Sequence, residues 1–515
     1  MAGVDSRTTP LTDPAGLRDL RADLAGHGVD SDALSTLLGP VAAAALRRDD
    51  PVPVRRRLRD LDGPLATFVR FFTLGDPVDA AELDELCPSL GAGGLLELGL
   101  AAPAEGGLRA TCDLMPYGAD AATWLVASDH GELALGSSLP HDHVLGVGGA
   151  STTLASWTPR PQVARALDLG TGCGVQALHL STHCREVVAT DVAARALGYA
   201  SVNAALADVE LEMRSGSLLE PVAGERFDLV VSNPPFVITP RREDVPVYEY
   251  RDGQGTGHEV VADLVRGVGD HLEPGGLAVL LGNWETGEGG DWRDVVGGWL
   301  DDAERRGTPL DAWVVQREEQ DPAEYAATWV RDGGQRPGTP EHAALEEAWL
   351  ADFAARGVAR IGFGVIVLQR PAGERGTFRD LVDHRGPVEQ PMGPRVLEGV
   401  RARTWLAEHD DDAVLDVAWR CAPDVIEERH TRPGESDPVL ILARQGAGLG
   451  RTAGLDTLGA ALLSVCDGEL TARQAVAAIA GLLDLDAAQA QEQAVALLRE
   501  LVADGFVAGG VTDRG

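Results

Sequence analysis

The feature that most constrains this chain is a change of rhythm near its middle. From about residue 160 to 371, short apolar runs at 163–169, 187–190, 211–213, 227–232 and 277–281 alternate with helical stretches at 175–180, 193–207 and 258–271. Short, mostly apolar runs that alternate with helices predict a parallel, doubly wound α/β sheet. Two later β-rich runs, 310–316 and 361–368, extend it.

The flanks read differently. In residues 1–140 apolar residues at helical spacing (Leu17, Leu20, Leu24; Leu65, Phe68, Phe71, Phe72; Leu90, Leu95, Leu96, Leu98) lead into one hairpin turned at Glu105-Gly106-Gly107. Helices closing on a hairpin predict a winged-helix-like unit. The domain with the alternating pattern is taken as 141–371, followed by a glycine- and proline-rich linker at 372–394 and a mostly helical, winged-helix-like domain at 395–515 with a closing strand near 505–507.

The first strand ends in Asp168-Leu169-Gly170-Thr171-Gly172-Cys173-Gly174, directly before a helix. Glycines at alternate positions let the backbone turn sharply and approach a ligand, with helix-start amides free to donate. The second strand ends in Asp191, the residue type that accepts from ribose hydroxyls at this point of a nucleotide-binding sheet. Past the fourth strand stands Asn233-Pro234-Pro235-Phe236. Two prolines remove two backbone donors and leave carbonyls free to accept; Asn233 adds a side-chain acceptor and Phe236 a flat face. Such a loop suits a planar NH2 group. The lone pair of that nitrogen is delocalised, so acceptors that grip its hydrogens and a well-placed electrophile matter more than a strong base.

On these two motifs, residues 145–285 resemble class I S-adenosylmethionine-dependent methyltransferases, and within them the N-methyltransferases with an Asn-Pro-Pro-aromatic loop. The resemblance implies a Rossmann-like α/β domain flanked by mostly helical domains, with S-adenosyl-L-methionine as cofactor. It implies that Asp168, Gly170, Thr171, Gly172 and Gly174 wrap the methionine and ribose portions, that Asp191 holds the ribose hydroxyls with Val192 against adenine, and that Ser217 and Leu218 stand where the family commonly has an acid after the third strand. Asn233, Pro234, Pro235 and Phe236 would be catalytic, with Asn233 also facing the cofactor. The stretch Asp252-Gly253-Gln254-Gly255-Thr256-Gly257-His258 is similar to HemK/PrmC protein-glutamine methyltransferases, whereas Phe236 is frequent among small-domain enzymes acting on ribosomal RNA amino groups. The acceptor is therefore a protein glutamine, as in a translation factor, or a nucleobase in RNA or DNA. An alternative is a non-catalytic, cofactor-binding regulatory protein that works through its flanking modules.

Composition narrows the chemistry. The 515 residues contain no lysine, so the 44 basic residues are all arginine against 80 acids, a net charge of −36. Lysine Schiff bases, covalent pyridoxal phosphate and the Walker phosphate loop are excluded. The acidity disfavours nonspecific nucleic-acid binding, with Arg55-Arg56-Arg57-Leu58-Arg59 as the one dense basic cluster. Six scattered cysteines without a C-x-x-C pair point to reduced thiols. With no apolar leader or membrane-length stretch, a cytoplasmic protein without a membrane partner is expected. His179, His183 and Cys184 lack the glutamate of a zinc helix, and His141-Asp142-His143 lacks a third partner, so no metal is expected. Residues 146–153 are read as a flap over the cofactor. Tyr248 and Tyr250 either line an acceptor pocket or pack.

Overall fold

The computed structural model describes residues 9–48, 50–119, 122–131, 134, 139–242, 245–248, 251–253, 257–335 and 337–509. Its centre is one eight-stranded sheet. In chain order the strands are β1 (Val163–Leu169), β2 (Cys184–Asp191), β3 (Glu212–Ser215), β4 (Phe227–Ser232), β5 (Leu272–Gly287), β6 (Asp311–Gln320), β7 (Val358–Gln369) and β8 (Arg379–Asp383). They lie side by side as β8-β6-β7-β5-β4-β1-β2-β3.

The sequence predicts a parallel sheet, and β3-β2-β1-β4-β5 are parallel, but β7 runs antiparallel to both β5 and β6. Apolar content alone does not carry strand direction, which explains the difference. The connection does: β6 returns to β7 through two helices, Pro322–Asp332 and Pro340–Arg356, that pack on each other and against β7. The stretch 372–394, expected as a linker, contains β8, which adds to the sheet edge parallel to β6. Five edge residues, three half-buried and two exposed, leave little apolar signal among the surrounding glycines and prolines.

The helices of the central unit are α1 (Gly149–Trp157), α2 (Val175–Ser181), α3 (Ala194–Ala207), α4 (Glu259–Gly267), α5 (Trp292–Arg305), α6 (Pro322–Asp332) and α7 (Pro340–Arg356). Two cores sandwich the sheet. Val261, Leu264, Trp292 and Trp299 cover one face, and Leu154, Trp157, Leu180 and Val396 the other. Each such side chain removed from water contributes about 2–3 kcal/mol before conformational entropy is counted.

The N-terminal unit has helices between Pro14 and Glu97, the expected hairpin at Ala101–Ala104 and Gly107–Ala110, and a second hairpin at Asp113–Ala119 and Ala122–Ser128. The second hairpin fastens this unit to the sheet domain. Asn203 of α3 donates to the Ala127 and Cys173 carbonyls (2.9 and 2.7 Å) and accepts from the Ala127 amide (2.7 Å). As a result Leu17, Phe68 and Phe72 belong to the same core as Val175 and Tyr199. The C-terminal unit starts with α8 (Gly393–Glu408). It has helices at Thr457–Ser464, Ala472–Leu483 and Ala487–Ala503, and a closing strand Val507–Ala508 paired with Arg420–Cys421. A three-stranded antiparallel sheet (Val425–Thr431, Pro438–Gln445, Thr452–Leu455) stands between, an addition to the mostly helical domain expected from sequence.

Candidate cofactor and acceptor site

Parallel strands all end on one edge, and the loops that leave β1, β2, β3 and β4 converge there around a cavity of about 190 Å³. Gly170, Gly172 and Gly174 have φ of +72°, +55° and +88°, left-handed values that favour glycine. Each has a different neighbour. A Cβ on Gly174 would meet Ala200 of α3 at 3.1 Å, whereas one on Gly172 would meet nothing within 4 Å. Gly174 is thus required by helix packing, and Gly172 leaves room on the cavity side.

Asp168 is placed below this loop rather than in the cavity lining. It is 1% exposed, and its Oδ2 accepts from the Thr171 hydroxyl (2.6 Å) and the Ala177 amide (2.9 Å). Burial pushes its carboxyl up to about 7, against those two hydrogen bonds. The acid therefore shapes the turn between β1 and α2 from beneath. Asp191 does line the cavity. Its Oδ2 accepts from the Gly172 amide (2.9 Å) and its Oδ1 from the Ala193 amide (2.9 Å), while burial raises its pKa. Val192, 55% exposed, Ser217 and Leu218 complete that wall, with Leu218 at φ +46° after Gly216.

Opposite them lie Asn233, Pro234 and Pro235. Asn233 Oδ1 is buried and has no hydrogen-bond partner. An unsatisfied buried acceptor costs roughly 1–3 kcal/mol, so it marks a place where a donor is missing. The loop is held from behind. Ser232 Oγ donates to the Leu169 carbonyl (2.7 Å), tying the ends of β4 and β1 together, and the Ile238 amide donates to the Tyr325 hydroxyl (2.9 Å). Phe236 lies outside the cavity lining, edge-on to Trp329 and Phe363 at 6.4 and 6.5 Å.

Sequence reading missed several lining residues. Asp142 and His143 come from the segment before α1, and Val260 and Asp263 from α4; only the tertiary fold brings them to this edge. The lining holds three aspartates (142, 191 and 263) and no arginine, so its electrostatics favour a cation. His143, buried, has its pKa lowered by desolvation. Part of the expected flap, 149–153, is the start of α1, clamped by Gln176 Nε2 donating to the Ser151 carbonyl (2.8 Å). Tyr248 packs, 5% exposed, donating to the Gly333 carbonyl (3.0 Å); Tyr250 lies outside the described residues. His179 is used in packing, bonded to the Tyr117 hydroxyl (2.9 Å), and His183 to the Pro161 carbonyl (2.9 Å). No metal-binding cluster occurs among the described residues, and no helix among them is long and apolar enough to cross a membrane.

Residues 146–288 match the family described as the methyltransferase small domain. Over those residues the central unit is similar to methyltransferase small domains. Residues 27–111 and 398–509 match two further families, each described as a domain of unknown function. The methyltransferase domain is 36% identical over 134 residues to a release factor glutamine methyltransferase of Xylella fastidiosa, covering 24% of this chain and 48% of that protein. It is 31% identical over 137 residues to a ribosomal RNA small subunit methyltransferase C of Enterobacter, covering 26% and 35%. The chain thus spans half or less of the length of these relatives. Among solved structures, the Thermus thermophilus 16S rRNA N2 G1207 methyltransferase in complex with AdoMet and guanosine aligns over 45% of this chain and 59% of that one, at 15% identity and a TM-score of 0.26.

Proposed function

We propose that this protein is an S-adenosylmethionine-dependent N-methyltransferase whose acceptor is the side-chain amide of a protein glutamine. The observation that carries this reading is the buried, unpartnered Asn233 Oδ1 at the wall of the cavity.

The residues present fit the cofactor: an acid on the ribose side, a glycine turn with open space at Gly172, and a carboxylate-rich lining for a cationic ligand. Bound there, S-adenosylmethionine supplies an electrophilic methyl on a sulfonium. Asp191 would accept from the ribose hydroxyls, and Val192 would lie against adenine. Asn233 Oδ1 and the Pro234 carbonyl, which receives no hydrogen bond among the described residues, would accept the two hydrogens of the acceptor NH2. Gripped in this way, the amide nitrogen turns its lone pair toward the methyl. The proton leaves after transfer, when the nitrogen has become acidic, so no strong base is required.

Three facts favour a protein acceptor over a nucleobase. The chain carries −36 charges. Two arginines of its basic cluster are already paired within the chain at the surface, Arg55 with Asp76 (2.8 Å) and Arg57 with the Leu37 carbonyl (2.9 Å). Relatives named as release factor glutamine methyltransferases match at 32–36% identity, against 31% for those named as ribosomal RNA enzymes. The test is methyl-labelled S-adenosylmethionine given to the full chain with a translation release factor and, separately, with ribosomal RNA. Label on a glutamine amide supports the reading, and label confined to RNA overturns it.

A further inference from the structure

A second cavity, of about 590 Å³, lies at the seam between the methyltransferase domain and the C-terminal unit. Its floor includes Trp313, the third residue of β6, and one wall is α8. Because β6 runs in the same direction as β4 and β5, its start is at the edge of the sheet opposite the cofactor cavity. This chamber is therefore separate from the proposed methyl-transfer site.

Its lining is rich in donors. Four arginines face it, Arg395, Arg401, Arg420 and Arg451, in a chain that is otherwise strongly acidic. Arg395 is paired with Glu398 (3.1 Å), and Arg451 Nη1 with Asp504, which leaves the buried Arg451 Nη2 without a partner. The guanidinium groups of Arg401 and Arg420 have no hydrogen-bond or ion-pair partner among the described residues, and both residues are exposed. Trp313 is 5% exposed and its indole N–H has no partner. The loop Gly446-Ala447-Gly448-Leu449-Gly450 borders the same space, with Gly448 and Gly450 at φ +65° and +59°, and the amides of Ala447, Gly448 and Leu449 donate to nothing among the described residues. Guanidinium forks beside free backbone amides match the oxygens of a phosphoryl group. The volume lies in the range of small-molecule sites, roughly 300–1,000 Å³.

We infer that this cavity binds a small phosphorylated molecule, its phosphoryl group held by Arg401, Arg420 and Arg451 and its less polar body lying against Trp313, Met392 and Leu449. The enclosure and the acidic surround disfavour a long polyanion. The inference does not depend on the identity of the methyl acceptor.

The test is calorimetric titration of the full chain with inorganic pyrophosphate. Saturable binding is expected, weakened about tenfold or more in R401Q/R420Q, while S-adenosylmethionine binding and the melting temperature stay unchanged. Ala447→Glu, which adds a carboxylate to the lining without removing an arginine, is expected to abolish pyrophosphate binding and serves should the double variant not fold. Absence of saturable binding, or equal binding by the wild type and the folded variants, would overturn the inference. Tighter binding of single-stranded RNA than of pyrophosphate through the same arginines would also overturn it.

Discussion

Gly253 passes so close to the Asn-Pro-Pro loop that a Cβ there would sit 2.7 Å from the Pro235 carbonyl oxygen. The approach is part of a short parallel pairing in which the Val237 amide donates to the Arg251 carbonyl (2.8 Å), and Asp252 anchors its far side by accepting from the Thr239 hydroxyl (2.8 Å). Gly253→Ala should push the loop toward the cavity. A displacement of a few tenths of an ångström to 1 Å is expected to cut turnover by about 10- to 100-fold, with S-adenosylmethionine affinity changed little. Single-turnover rates beside a cofactor titration check this; a variant with wild-type turnover would remove the loop from the mechanism.

Asn233→Ala removes the unpartnered acceptor. Loss of one positioned hydrogen-bonding group in a site of this kind costs about 10²–10³ in turnover, while the cofactor, held mainly by the β1 and β2 loops, should bind within about threefold of wild type. If turnover and affinity fall together instead, Asn233 serves binding rather than the acceptor.

Asp191→Ala removes the partner of the Gly172 and Ala193 amides as well as the proposed ribose acceptor. Charge-assisted bonds of this type contribute about 1.5–3 kcal/mol each, so cofactor affinity should drop by at least about tenfold. Titration calorimetry gives the value, and an unchanged affinity would place the ribose elsewhere.

His179 predicts a pH dependence of stability. It is wedged between the Tyr117 hydroxyl and Arg160 (3.3 Å to Nδ1), and burial, reinforced by Arg160 and His183, lowers its pKa from 6.5 to about 4. The unfolded chain takes up the proton first as pH falls. This contribution to stability is therefore complete above about 6.5 and is lost as pH drops toward 4. Between pH 7 and 5 it amounts to about 2 kcal/mol. Urea unfolding at the two pH values should show a smaller difference for His179→Gln than for wild type, and an identical difference would refute the assignment.

Much of the methyltransferase domain could be read from sequence because its signals are local. Val163–Leu169 and Phe227–Ser232 are strands bounded by the motifs they present, and both stay mostly apolar despite Arg165, Asp168, Asp228 and Ser232. What escaped is non-local. The reversed direction of β7 depends on the two helices before it, and β8 is too short and exposed to stand out among prolines. The cavity residues Asp142 and Asp263 lie 26 or more positions from Asp168 and carry no motif of their own. Asp168 and Phe236 were expected to touch ligands because they belong to the motifs. The fold places Asp168 under the glycine turn and Phe236 among the aromatic rings of β7 and α6.

The central claim is methyl transfer beside Asn233 to a glutamine amide. Peptide mass spectrometry of a translation release factor incubated with the full chain and methyl-labelled S-adenosylmethionine tests it most directly. The expected result is one labelled glutamine, formed by the wild type and not by Asn233→Ala. No labelled glutamine from a folded chain that binds the cofactor would contradict it.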